Sequence, residues 1–183
     1  MKIDINTFTK DYNNKNIIVI GDIILDTYVL GNVNRISQEA PVPIVSMQKK
    51  DFKPGGAANV AINLSNLGAS VTLVGVTGFD SNHIKLIETL NNYKNIKTRI
   101  IQCDDRPTTV KTRIIADNRQ LVRLDDEIIK PIGNEIENKI IDICKSICPN
   151  TDGIIIQDYN KGLLTKNIIS YIMSYSNKKN KSI

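Results

Sequence analysis
The chain has 183 residues, 41% of them hydrophobic and 23% charged, with a formal net charge of +5 and no tryptophan. That length supports one domain with a sizeable core, built mainly from Ile, Leu and Val. No apolar run is long enough to cross a membrane, and the polar start Met1-Lys2-Ile3-Asp4-Ile5-Asn6 is not a signal peptide, so a cytoplasmic protein is expected.

The positive charge is spread along the chain, and part of it, Lys178, Lys179 and Lys181, falls in a basic tail. No stacking aromatics interleave with it, which argues against nucleic acid; a modest positive field suits phosphorylated substrates. Cys103, Cys144 and Cys148 form no Cys-x-x-Cys motif and read as small buried hydrophobes in a reducing cytosol. With His83 the only histidine, zinc sites and His-based triads have almost nothing to build on, and no metal site is expected.

In chain order, Ile17 to Ile20 is a short, wholly apolar strand of the kind buried in a parallel sheet. From Ile23 to Val45 the chain is strand-like and helix-poor, restricted by Pro41 and Pro43. Pro54-Gly55-Gly56 reads as a loop opening a helix, since proline is excluded from central strands and paired glycines permit a sharp turn or close approach to a ligand. Behind it Ala57, Val60, Ala61, Leu64 and Leu67 form one apolar stripe, with Gly68 as the stop; Asn59, Asn63 and Asn66 lie on another face. Val71 to Val76 is a second strand, Ser81 to Asn92 a helix, and Lys97 to Gln102 a strand. From Thr108 to Asp126 come two strands with alternating faces, Lys111 and Arg113 on one side, with Asn118 able to turn the hairpin. Glu135 to Ile147 is a helix, Gly153 to Ile156 a buried strand, and Thr165 to Tyr175 a closing helix. Alternation of this kind implies right-handed crossovers and an open α/β sheet covered on both faces.

Several residues stand where chemistry is expected. Asp22 follows the first buried strand, where open α/β sheets bind ligands, and Asp26 lies four residues on, on the same face of an extended chain. Their carboxylates suit sugar hydroxyls; the plainer readings are a turn-capping Asp22 and a solvated Asp26. Lys111 and Arg113 suit a phosphate, or simply protect a strand edge with charge. Gln120 opens the partner strand. Asp158 and Lys161 follow the strand ending at Ile156, again at a carboxyl end. A Gly-Gly turn opening a helix brings free N–H groups to a polar or anionic molecule.

The pattern Gly55-Gly56-Ala57-Ala58-Asn59-Val60-Ala61, then Gly68 and Gly78, resembles the first signature of the ribokinase-like (PfkB) carbohydrate kinases. Within that family, Gly21-Asp22 with Leu25-Asp26, Arg35-Ile36-Ser37 with Glu39 to Pro43, Gln120 to Asp125, and Asp158-Tyr159 with Lys161-Gly162 are similar to the heptose 7-phosphate kinases, the kinase part of ADP-heptose synthases. The resemblance implies an N-terminal half of a doubly wound sheet within a domain over 1–183, with a small β-lid formed by segments 23–45 and 108–126. It implies Asp22, Asp26, Gly55, Gly56, Asn59, Lys111, Arg113, Gln120, Asp158 and Lys161 as substrate-binding residues. It further implies ATP and Mg2+ as cofactors, a sugar phosphate as substrate and homodimers formed through paired lids. Gln157 stands where related kinases often have Ser.

The family's second signature, a Gly-Ala-Gly-Asp segment that supplies the catalytic base and anion hole, does not occur in these residues, and neither GxxxxGK[ST] nor GxGxxG replaces it. The expectation is therefore the sugar-binding half of a truncated or split kinase, without a catalytic residue of its own and complemented by a C-terminal half. The alternative is a non-catalytic sugar-phosphate-binding or dimerisation module. An apolar strand edge beside Gly153 to Ile156 is expected to be left open.

Overall fold
The computed structural model describes residues 12–13 and 15–179; the polar start at 1–6 and Lys181 lie outside the described residues. In order, the elements are β1 (Asn16–Gly21), β2 (Ile23–Ile36), β3 (Pro43–Gly56), α1 (Ala57–Asn66), β4 (Ser70–Gly78), α2 (Ser81–Leu90), β5 (Ile96–Cys103), β6 (Val110–Ala116), β7 (Arg119–Asp126), α3 (Asn134–Ile147), β8 (Gly153–Gln157) and α4 (Lys166–Lys179).

The main sheet has the order β5-β4-β1-β8, and every pair in it is parallel. β1, β4 and β8 are largely buried on both faces and carry apolar runs, whereas the edge strand β5 exposes Lys97, Arg99 and Gln102. On one face Val19, Val71 and Leu73 pack against Ala57, Ala58 and Ala61 of α1 and Leu86 and Leu90 of α2. On the other, Ile18, Ile20, Val74 and Ile154 meet Ile140 and Cys144 of α3 and Ile168 and Ile172 of α4. Cys103, Cys144 and Cys148 are all buried free thiols, as the absence of a Cys-x-x-Cys motif led us to expect. The chain runs outward from β1 through β4 to β5, then returns to the far side of β1 as β8. The direction of winding therefore reverses between β1 and β8, and the crevice at their carboxyl ends is where doubly wound sheets take ligands.

The second sheet, β3-β2-β6-β7, is mixed, with β2 and β6 parallel and the two outer pairs antiparallel. Positive φ angles at Asp117 and Asn118 make the tight turn between β6 and β7, a backbone that Asn and Asp accept more readily than other side chains. Three expectations change here. Pro54-Gly55-Gly56 is the end of strand β3, paired with Leu25, Ile24 and Ile23, and not a loop. Proline is accepted because β3 is an edge strand and loses no ladder bond to its missing N–H. The strand-like segment that begins at Ile23 consequently continues past Val45 to Gly56. Lys178 and Lys179 form the last turn of α4 rather than a tail, where positive charge opposes the negative end of the helix dipole.

Candidate functional site
A single residue, Asp22, separates β1 from β2. It stands at the reversal point and is 3% exposed. Its backbone N–H donates to the Gln157 carbonyl at the end of β8 (3.0 Å), and its carbonyl accepts from Ala57 N at the start of α1 (2.9 Å). Its carboxylate Oδ2 accepts from the backbone N–H of Tyr159 (2.8 Å) and Lys161 (3.0 Å). Asp22 thus fastens β8, the loop after it, and helix α1 to one point. The turn-capping role weighed from sequence is real, and it fixes the carboxylate in the crevice.

Asp26 lies on β2 in one cross-strand row with Lys53, Lys111 and Asp125; Tyr28, Arg113 and Arg123 fill the next row. Residues directly opposite share a face, so these two rows gather Asp26, Lys53, Lys111, Asp125, Arg113 and Arg123 on one side of the second sheet. Asp26 pairs with Arg113, whose guanidinium pKa is raised by that hydrogen bond. Gly55 and Gly56 bring the end of β3 against both aspartates. A Cβ on Gly55 would stand 2.2 Å from Asp26 Oδ2, and one on Gly56 2.3 Å from the Asp22 carbonyl. The N–H that the Gly-Gly turn offers at Ala57 is therefore taken by Asp22 rather than left for a ligand.

Lys111 Nζ pairs with Asp125 (2.7 Å) and with Glu127 (3.4 Å), and Lys161 Nζ with the other Glu127 oxygen (2.7 Å). The sequence-based picture of Lys111 and Arg113 on a strand edge does not hold, because β6 lies between β2 and β7. Asn59 sits exposed in the first turn of α1. Asp158 is exposed and accepts from Asn160 N (2.7 Å), closing a local turn at the rim. Gln120 is exposed and pairs with Ile115 in the ladder, beyond the charged rows and apart from the other candidates.

Three positioning residues were missed by sequence reasoning. Arg106 is buried in the connection from β5 to β6; its Nη1 donates to the Lys161 carbonyl (3.1 Å) and its Nη2 to the Lys130 carbonyl (3.0 Å). With Asp22, Thr109, Ile128 and Lys161 it lines a small pocket at the reversal point. Only its place after a strand, before Pro107, gave a signal. Glu127 ends the run Asp125-Asp126-Glu127, which reads as a solvated acidic stretch. Asp80 caps α2 through His83 N (2.9 Å) and also accepts from Thr108 N (2.7 Å) and Thr108 Oγ1 (2.8 Å), fixing the connection that carries Arg106.

Burial alone would raise the Asp80 pKa, but the hydrogen bonds from Thr108 and His83 win and hold it below the ordinary carboxylate value. A depressed folded pKa means stabilisation that is complete above the unfolded value, about 4, and lost as pH falls through the folded one. Asp80→Asn is accordingly expected to melt earlier than the parent chain at pH 7, with the gap shrinking below about pH 4. Thermal melts at pH 7 and pH 3 check this, and a gap that persists unchanged at pH 3 would contradict it.

The sheet order, the aspartate at its reversal point and the Gly-Gly start of α1 together define a ribokinase-like α/β fold. The family model described as pfkB family carbohydrate kinase matches residues 14–152, and the chain belongs to that family. It is 43% identical over 170 residues to the bifunctional protein HldE of Helicobacter pylori strain Shi470, covering 92% of this chain and 36% of that protein. The HldE of Koribacter versatilis is 39% identical over 160 residues, covering 87% of this chain and 33% of that protein. The chain thus spans about a third of the length of the curated relatives it matches. Among solved structures, a carbohydrate kinase from Agrobacterium tumefaciens superposes with a TM-score of 0.62 at 19% identity, over 91% of this chain and 52% of that one. Phosphofructokinase-2 from Escherichia coli, solved with substrates and products, gives 0.66 at 15% identity, over 92% and 52%. These two likenesses concern the fold.

Proposed function
We propose that the chain forms the sugar-phosphate-binding part of a heptose 7-phosphate kinase, an enzyme that transfers the ATP γ-phosphoryl group to the anomeric hydroxyl on the route to ADP-heptose and the lipopolysaccharide core. The observation that carries this reading is Asp22, buried at the reversal point beside Asp26 with the Gly55-Gly56 backbone drawn tight against both. Fixed carboxylates accept hydrogen bonds from sugar hydroxyls, and Lys111, Arg113 and Lys161 set cations within the same charged surface for a phosphate. Asn59 projects from the first turn of α1 toward solvent at the same end of the sheet.

ATP with Mg2+ is the donor such a kinase uses. The glycine turn before α1 is already committed to the Asp22 carbonyl, so we assign no step to ATP through it. No helix among the described residues is long and apolar enough to cross a membrane, in keeping with work on a cytoplasmic metabolite. A second reading, a non-catalytic module that pairs through the lid, is favoured by exposed apolar residues on the second sheet: Met47, Val122 and Leu124 are 62%, 43% and 56% exposed. Such a surface suits a second copy of the chain.

Binding is tested by melting. Heptose 7-phosphate is expected to raise the melting temperature through preferential binding to the folded chain. Asn59→Ala should reduce that rise more than Asn63→Ala, both residues being exposed on α1. Equal effects would remove Asn59 from the site, and no rise at all would remove the sugar-phosphate reading.

A further inference from the structure
Glu127 follows β7 in the connection to α3 and reaches two ammonium groups from different parts of the fold. Its Oε1 lies 2.7 Å from Lys161 Nζ, in the loop after β8, and its Oε2 lies 3.4 Å from Lys111 Nζ, on β6. The three side chains are 13–15% exposed, so the bridge is mostly shielded from solvent. One oxygen to each of two lysines is also how two oxygens of a phosphate monoester would lie between them. We propose that Glu127 and the phosphate of an anionic ligand compete for Lys111 and Lys161, and that the ligand enters by displacing Glu127. This rests on the sugar-phosphate reading of the site, to which it adds a built-in competitor that sets affinity and selectivity.

Charge balance supports displacement. Around the bridge itself, Lys111 and Lys161 meet Asp125 and Glu127 within ion-pair distance. Each of these two ammonium groups already has a carboxylate partner, so a phosphate carrying up to about two negative charges would stand directly against Glu127 unless that carboxylate withdraws. Asp22 is fixed by two backbone N–H groups, while Asp26 and Asp125 sit on strands and pair with neighbouring arginines. Glu127 has the longer side chain, lies outside the ladder, and makes one short and one long contact. Of the four, it is the one free to swing out.

The experiment titrates the chain with inorganic phosphate at constant ionic strength and pH 7.5, following heat or amide shifts. Glu127→Gln removes the competing charge and keeps the size, and is expected to bind phosphate roughly fivefold more tightly than the parent. Adding Lys111→Met or Lys161→Met to that variant should abolish the gain. A merely structural bridge predicts the reverse, weaker binding in Glu127→Gln, and that result or an unchanged affinity would overturn the proposal. A gain that survives both lysine changes would overturn it too. If Glu127→Gln does not fold, Glu127→Asp keeps the charge but shortens its reach, and roughly a twofold gain is expected; none would count against displacement. Heptose 7-phosphate binding no tighter than inorganic phosphate would sink the heptose reading while leaving the competition intact.

Discussion

No heptose 1,7-bisphosphate is expected when the purified 183-residue chain is incubated with heptose 7-phosphate, Mg2+ and ATP. Phosphoryl transfer requires nucleotide, metal, acceptor hydroxyl and base in one geometry, and misplacement by an ångström costs on the order of a hundredfold. The carboxylates near the reversal point are already engaged. Asp22 Oδ2 accepts two backbone N–H groups, Asp26 faces Arg113, and Asp158 closes a turn with Asn160. None is held ready to take a proton from a hydroxyl, and the backbone N–H after Gly56 already donates to Asp22. Turnover is expected to rise on adding a separately produced C-terminal portion of a related kinase. Product formed by this chain alone, above an enzyme-free control and abolished by Asp22→Ala, would refute the expectation and require a base among these residues.

Gly56→Ala is expected to cost roughly 2–4 kcal/mol of stability, lowering the melting temperature by about 6–12 °C. Gly56 has φ 57° and ψ −133°, a region in which only glycine is comfortable. The new methyl group would also stand 2.3 Å from the Asp22 carbonyl, a backbone atom held by Ala57 N and unable to yield cheaply. Gly133→Ala is the matched control. Gly133 has φ −68° and open space where its Cβ would be, so the change there should stay within about 1 kcal/mol. Circular-dichroism melts of the two variants decide it, and equal losses would mean that the tight approach of β3 to Asp22 is not what fixes Gly56.

The main sheet was legible because β1, β4 and β8 are apolar runs and β5 alternates apolar with polar residues, each set beside a helical pattern. Asp22 was legible for a related reason, since the first residue past a buried strand falls at the carboxyl edge whatever follows. The end of β3 was not. Proline and two glycines carry no alternation, and only the pairing partner Ile23–Leu25, far earlier in the chain, shows that they are strand. Partnership also decides the roles of Lys111 and Arg113. Nothing local reveals that β6 is flanked on both sides, or that acidic groups from β2, β7 and the segment after it answer these cations. Arg106 and Glu127 were hidden because their partners are backbone carbonyls and lysines brought near only by the winding of the whole chain.

The parallel pairing of β2 with β6 also bears on how the molecule forms. Arg113 and Asp26 meet across that seam from positions 87 residues apart, and the chain between them contains β3, α1, β4, α2 and β5. Closing so large a loop is entropically costly until the intervening segments have condensed. The first hairpin, β2 with β3, can close locally, and so can β6 with β7; their union must wait for the main sheet to carry the second to the first. The surface that presents Asp26 to Lys111 and Arg113 is consequently expected to form late in folding. A substitution that slows assembly of β4 or β5 would delay the appearance of that surface without touching any residue in it.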